Sequence, residues 1–318
     1  MTMLHITNGD SAGDLLAGCG VGGDVLCWRD VLHEGPVPAG LPFGELGAVR
    51  AHYISGRGWG PAVEVAQEFE ERHAVMDESS AHDEVVLWFE HDLYDQLQLI
   101  QVLDWFAARG GGPRLSLVCG AEYLGRSTPQ RLLERFGERS PVSTIQLSLA
   151  AAAWNAFRSP DPRAIAALLA DDTLELPYLA DALTRHLEQF PSTVNGLSRS
   201  QHQALQVIAR GGTPTVGDAY VASHHELEDP IWLGDTTFLA HLEDLARCER
   251  PLVALGPGQR DAMSRSVGLT NDGRDVLEGR EDHVRLNGID RWLGGVHLRG
   301  REAAWRWDPE ARAVVAAR

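Results

Sequence analysis

Residues 85–106, VVLWFEHDLYDQLQLIQVLDWF, constrain the fold more than any other stretch, because a short apolar run gives way there to an amphipathic helix at Glu90, His91, Asp92 and Asp95. Val85 to Phe89 is too short for a buried helix and rich in β-branched and aromatic residues, which predicts a central parallel strand. From Leu93 onward Leu97, Ile100, Leu103 and Phe106 recur at helical spacing. The acidic knot between the two therefore falls at the carboxyl end of a strand, where open α/β sheets bind their ligands. A plainer reading covers part of it: Asp92 can cap the helix, with Asp95 three residues on in capping-box spacing. Glu90 and His91 are not needed for a cap.

The flanking sequence supplies further strand ends. Leu4 to Thr7 reads as a first strand, followed by Asn8-Gly9-Asp10-Ser11 and a helix from near Ser11 to about Cys19. Asp24 to Trp28 reads as a second strand that ends in Arg29 and Asp30. The loop after it, residues 31–38, holds His33, Gly35 and two prolines, which prevent a helix or a central strand. Helical periodicity returns over 43–54 and 61–78, Leu115 to Cys119 reads as a strand, and a helix is expected from Thr128 to Phe136. Strands alternating with helices predict an α/β domain over residues 1–145 with a mainly parallel, Rossmann-like sheet covered on both faces.

A helical connector is expected over 146–196, from helices at 150–157, 162–170 and 177–190 separated by Ser-Pro-Asp-Pro and Asp-Asp-Thr breaks. Over 197–318 a helix runs from Leu197-Ser198 to Arg210 and stops at Gly211-Gly212. Helices at 215–223 and 235–248 precede Pro251–Leu255, and Val267 to Arg274 leads into a short helix. This order resembles a winged helix-turn-helix, with residues 290–308 expected to add one hairpin. The helix that would enter a DNA groove carries Asp235, Glu243, Asp244 and Glu249 against Arg247 and Arg250, and the chain has a net charge of −17. Nucleic-acid binding draws on clustered positive charge, so it is disfavoured. The module is expected instead to pack, to form a homodimer contact or to meet a protein partner.

Three strand ends converge in such a sheet. Asp10, Asp30, Glu90 and Asp92 are the candidate acid/base or metal-binding groups. Asn8, Gly9, Ser11, Arg29, His33, Gly35, His91, Asp95 and Gln96 are the candidate ligand-binding residues. Gly9 and Ser11 stand at a helix N-terminus, which can hold a phosphate through backbone N–H groups; Ser11 with Asp14 as a simple capping box is the competing reading. Carboxylates with His5, His33 and His91 make a divalent metal a candidate cofactor, although no spacing is diagnostic and metal ligands stay unassigned.

Other chemistries are excluded. All 28 basic residues are arginine, so no Schiff-base lysine for pyridoxal phosphate and no phosphate-loop lysine exists. Gly18 to Gly23 is glycine-rich but follows the first helix rather than preceding it, so the dinucleotide fingerprint is absent, and no GxSxG elbow is present. The four cysteines form no CxxC pair; Cys27 and Cys119 are expected to be small core residues. Neither a membrane span nor a signal peptide is evident, which predicts a cytoplasmic protein.

His5-Ile6-Thr7-Asn8-Gly9-Asp10, Trp28-Arg29-Asp30-x-Leu32-x-x-Gly35-Pro36 and Trp88-Phe89-Glu90-x-Asp92-x-Tyr94-Asp95-Gln96 together resemble the bacterial domain-of-unknown-function family numbered eighteen thirty-five. The C-terminal part looks like the companion domain that often follows it, and the resemblance spans residues 3–135 and 197–308. It implies no established activity; it groups Asn8, Asp10, Asp30, Gly35, Glu90, Asp92 and Gln96 without giving them roles. The residues themselves lead to the expectation of a hydrolase or group transferase acting on a small polar or phosphorylated molecule. The alternative is a ligand-sensing or adaptor protein without turnover.

Overall fold

The fold comes from a computed structural model that describes residues 2–211, 214–258 and 261–317. The chain forms two compact units, Met1–Ala182 with Gly294–Val296, and Leu183–Leu293 with His297–Arg318.

The first unit contains β1 (Met3–Thr7), α1 (Asp10–Gly18), β2 (Asp24–Cys27), the two-residue β3 (Gly35–Pro36), α2 (Phe43–Gly56), α3 (Ala62–Glu78) and β4 (Glu84–Glu90). After these come α4 (Leu93–Arg109), β5 (Arg114–Gly120), α5 (Pro129–Gly137), β6 (Ser140–Pro141), α6 (Thr144–Phe157) and α7 (Arg163–Leu169). The division between units falls inside α8 (Leu179–Leu187).

One sheet has the order β2-β1-β4-β5-β6. Its first four strands are mutually parallel and β6 is antiparallel at the edge. The strand predicted at Val85–Phe89 is central, and all five of those side chains are fully buried. Val86 and Trp88 pack with Ala12 and Leu16 of α1 and Leu132 of α5. Val85, Leu87 and Phe89 project to the opposite face by the two-residue period of a strand. Trp88 donates its indole N–H to His5 Nδ1 (3.0 Å), so His5 carries its own proton on Nε2 and donates it to the Gly22 carbonyl (2.7 Å). Burial lowers the His5 pKa, and both ring nitrogens are already used. His5, weighed as a metal ligand, is therefore a core histidine.

The loop after β2 is organised by buried arginines. Asp30 is fully buried and takes the Arg50 Nε–H (2.9 Å), while Arg50 also donates to the carbonyls of Val31, Glu34 and Pro36. Arg72 lies 3.8 Å from the other Asp30 oxygen and stacks over the rings of Phe69 and Trp28. Gly35 has φ +80°, and a Cβ there would meet the Tyr53 ring at 2.4 Å. The path of the chain from Trp28 to Pro36 is thus set by packing around Arg50.

Several boundaries differ from expectation. α6 starts at Thr144 rather than 150, because Ser143 and Gln146 close a capping box. α8 is shorter than 177–190, and α10 (Val216–Tyr220) continues into a π-helical turn over Val221–His225. α1 begins at Asp10 with Gly9 as its N-cap and no side-chain cap bond, so the Ser11–Asp14 capping box does not form.

In the second unit α9 (Arg199–Gly211), α10 and α11 (Asp235–Arg247) surround Leu205, Ile208, Val216, Phe238 and Leu242. The expected helix stop at Gly211-Gly212 is described only to Gly211; Gly212 lies outside the described residues. β7 (Val253–Leu255) and β8 (Val267–Leu269) form a two-stranded antiparallel sheet, followed by α12 (Asn271–Leu277) and α13 (His283–Asn287). The expected single hairpin over 290–308 is divided between two sheets. β9 (Ile289–Gly294) neighbours β10 (Val296–Gly300), whereas β11 (Trp305–Asp308) pairs antiparallel with β12 (Ala313–Ala316). No helix among the described residues is long and apolar enough to cross a membrane.

Candidate functional site

β1 and β4 are adjacent and parallel, with Thr7 opposite Trp88, so their carboxyl ends lie side by side. The chain leaves β1 toward β2 on one side and β4 toward β5 on the other. A crevice opens where connections diverge in this way. It is a cavity of about 340 Å³ lined by Asn8, Gly9, Asp10, Ser11, Ala12, Glu90, Tyr94, Tyr123, Gly125 and Arg126.

Glu90 is 4% exposed and faces this cavity. Its Oε1 accepts the Leu124 backbone N–H (2.6 Å) and the Asn8 amide (3.4 Å). The same Asn8 amide donates to Asp95 Oδ2 (2.8 Å), and the Tyr94 hydroxyl donates to the Asn8 carbonyl (3.2 Å). Asn8 therefore ties the end of β1 to two carboxylates from the end of β4. Asp92 is the N-cap of α4 and accepts the Asp95 N–H (2.9 Å). Gln96 donates to the Glu90 carbonyl (2.6 Å), which fixes the last residue of the strand against the helix.

Glu90, Asp92 and Asp95 each place one oxygen within 4.8 Å of the others. Two ionised carboxylates at that distance repel by about 3 kcal/mol at an effective dielectric of about 20. Burial raises the Glu90 pKa; burial, then the charge of Glu90, pushes Asp92 up to about 8. Burial together with Asp92 and Glu90 raises Asp95 well above the usual carboxylate range. Asp95 Oδ1 is buried and has no hydrogen-bond partner among the described residues. The trio can hold protons near neutral pH or bind a cation.

The remaining predicted residues divide cleanly. Asp10 is exposed at the start of α1 and pairs with Arg29 (2.5 Å). Ser11 and Gly9 line the cavity wall. The His91 ring is buried beside Tyr123 and Tyr178 (centroids 5.2 and 5.9 Å). His33 is buried with its ring 6.0 Å from that of Tyr94. Asp30 and Gly35 are not in the cavity wall; they belong to the Arg50 and Tyr53 packing described above. Cys119 lies beside Gln96 and the Glu90 carbonyl, half-buried rather than in the core, and burial pushes its thiol up to about 12.

Sequence reasoning missed Tyr123, Gly125 and Arg126. Arg126 is exposed at the cavity, 5.3 Å over the Tyr123 ring, and no carboxylate lies within ion-pair distance of it among the described residues. The signal was available. These residues follow β5, a fourth strand end of the same sheet, and the rule that led to the first three applies equally to it. No protein-family model matches the chain, and no curated protein matches it.

Proposed function

We propose that the cleft at the ends of β1, β4 and β5 binds a small phosphorylated molecule and that the chain is a hydrolase or group transferase acting on it. One observation carries this reading: a 340 Å³ cavity brings the α1 N-terminus, which no side chain caps, together with the buried Glu90 carboxyl and Arg126, which is in no ion pair among the described residues. That volume suits a small ligand. Backbone N–H groups of the first turn of α1 and the Arg126 guanidinium hold the anion, while Asn8 and Tyr94 position it. Glu90, whose pKa burial raises, gives or takes the proton.

The sheet order of the parallel strands supports a Rossmann-like domain. α9 to α11 followed by the β7–β8 pair support a winged-helix-like second module, and this favours the alternative of a ligand sensor that reports occupancy to a protein. Glu243 on α11 pairs with both Arg247 (3.1 Å) and Arg265 (3.5 Å), which spends positive charge that DNA would need. The cytoplasm is the location we propose.

Calorimetry of the full chain with glucose 6-phosphate against glucose tests the ligand class. The phosphorylated sugar binds at least about tenfold tighter, and Arg126→Ala removes that preference. Equal affinity for the two sugars would sink the reading. Hydrolysis of p-nitrophenyl phosphate that is lost in Glu90→Gln supports the enzyme; binding without turnover in the unaltered protein supports the sensor.

A further inference from the structure

We propose that Glu90, Asp92 and Asp95 form a binding site for a hard divalent cation beneath the cleft. Three other buried carboxylates are held by arginines. Asp30 is met by Arg50 (2.9 Å) and Arg72 (3.8 Å), Glu84 by Arg114 (2.7 Å) and Arg139 (3.0 Å), and Glu228 by Arg185 (2.6 Å) and Arg199 (3.5 Å). Each has two arginines. Glu90, Asp92 and Asp95 each bring an oxygen within 4.8 Å of the others, yet none of the three is ion-paired among the described residues. A buried charge without a partner is strongly unfavourable. The missing positive charge is the first sign of a ligand.

The second sign is Asp95 itself. It is fully buried, its Oδ2 is engaged by the Asn8 amide, and its Oδ1 meets no donor. Asp30 Oδ2 also lacks a hydrogen bond among the described residues, but Arg72 stands 3.8 Å from it, whereas no cation faces Asp95 at ion-pair distance there. An acceptor with no donor, inside a group of three carboxyls, is what a cation would complete. Asn8 holds Asp95 and Glu90 in place from outside the trio, as the outer hydrogen bonds of metal sites do for ligating carboxylates. Asp92 is partly exposed, so an ion can enter from its side.

Ligand type and spacing narrow the ion. Three carboxylates and no nitrogen or sulfur select a hard cation. Two oxygens on one ion can be no farther apart than twice the bond length, about 4.2 Å for magnesium and about 5 Å for calcium. The trio's oxygens lie within 4.8 Å of one another, inside that pairwise limit for calcium, so calcium asks for the smaller adjustment. Magnesium requires the most distant oxygens to draw in by about 0.6 Å. The site needs no organic molecule, so its test is independent of the phosphorylated-ligand reading.

The experiment is calorimetry of the chelator-treated full chain with calcium, magnesium and manganese chlorides, alongside the melting temperature with and without each ion. One ion binds per chain and raises the melting temperature. Asp95→Asn weakens binding at least about tenfold. Asp92→Asn does the same while preserving the cap of α4, because asparagine caps as well as aspartate; that variant guards against loss of binding through misfolding. Asp77→Asn, an exposed carboxylate paired with Arg109, leaves binding unchanged. No heat and no melting shift with all three ions, or binding that survives Asp95→Asn and Asp92→Asn, overturns the site.

Discussion

Arg50 shows how much one buried side chain can organise. Its guanidinium neutralises Asp30 and satisfies three carbonyls of the loop between β2 and α2. Replacing it with leucine would fit the apolar stripe of α2 but leave Asp30 dependent on Arg72 alone. The expected result for Arg50→Leu is a loss of about 3–5 kcal/mol, the usual consequence of removing one partner of a buried ion pair, read as a lower urea midpoint. The sequence carries a sign of such an arginine. Arg50 lies four residues from both Leu46 and Ile54, a charge in the buried stripe of α2, and Arg72 holds the same place between Phe69 and Met76 in α3. An arginine in an apolar stripe announces a buried acid, and Asp30 was the acid available. Periodicity alone could not say which residue it would meet, because that depends on how two helices fold back over a loop.

At the scale of elements, strands and helices of the first unit were legible because each had its own period and punctuation. β4 and α4 fall where the apolar run and the helical spacing place them. The start of α6 did not, although Ser143 and Gln146 carry the capping-box signature, because the apolar run that marks the helix is densest after Ala150. Ser143→Ala should therefore destabilise the protein by about 1 kcal/mol, read as a lower melting temperature, while Ser143→Asp should not. The C-terminal error has a different origin. Alternation placed Trp305 to Asp308 on a strand but could not choose its neighbour, and the equally short run Ala313 to Ala316, AVVA, carries no alternation. Once that run exists, the nearest chain pairs first, through a turn in which Arg312 takes a left-handed conformation. The candidate site was legible as a place, the strand ends, but incomplete as a list, because the turn after β5 carries neither periodicity nor a cluster of charge.

Over the whole molecule, titrations pull stability in opposite directions. Burial, then the charges of Arg185 and His241, lowers the His224 pKa to about 3, against 6.5 in an unfolded chain. The unfolded state therefore takes up the proton first as pH falls, so the neutral, buried His224 contributes fully above about pH 6.5 and its contribution declines toward pH 3. Glu84, held down to about 2 first by Arg139, contributes above about pH 4.5 and is lost as pH falls toward 2. The raised carboxyls at the cleft have the reverse sign. The measurable quantity is therefore a difference: between pH 7.5 and pH 5 the unaltered protein should lose on the order of 2 kcal/mol more than His224→Gln. Equal losses in urea titrations of the two proteins would show that His224 is not buried neutral. At the far side of the sheet, β6 is only two residues long and ends in Pro141, which has no N–H to offer a neighbour. A fifth parallel strand from another copy finds no ladder to extend there, so any fibrous self-assembly of this sheet would have to grow from its opposite margin, along β2.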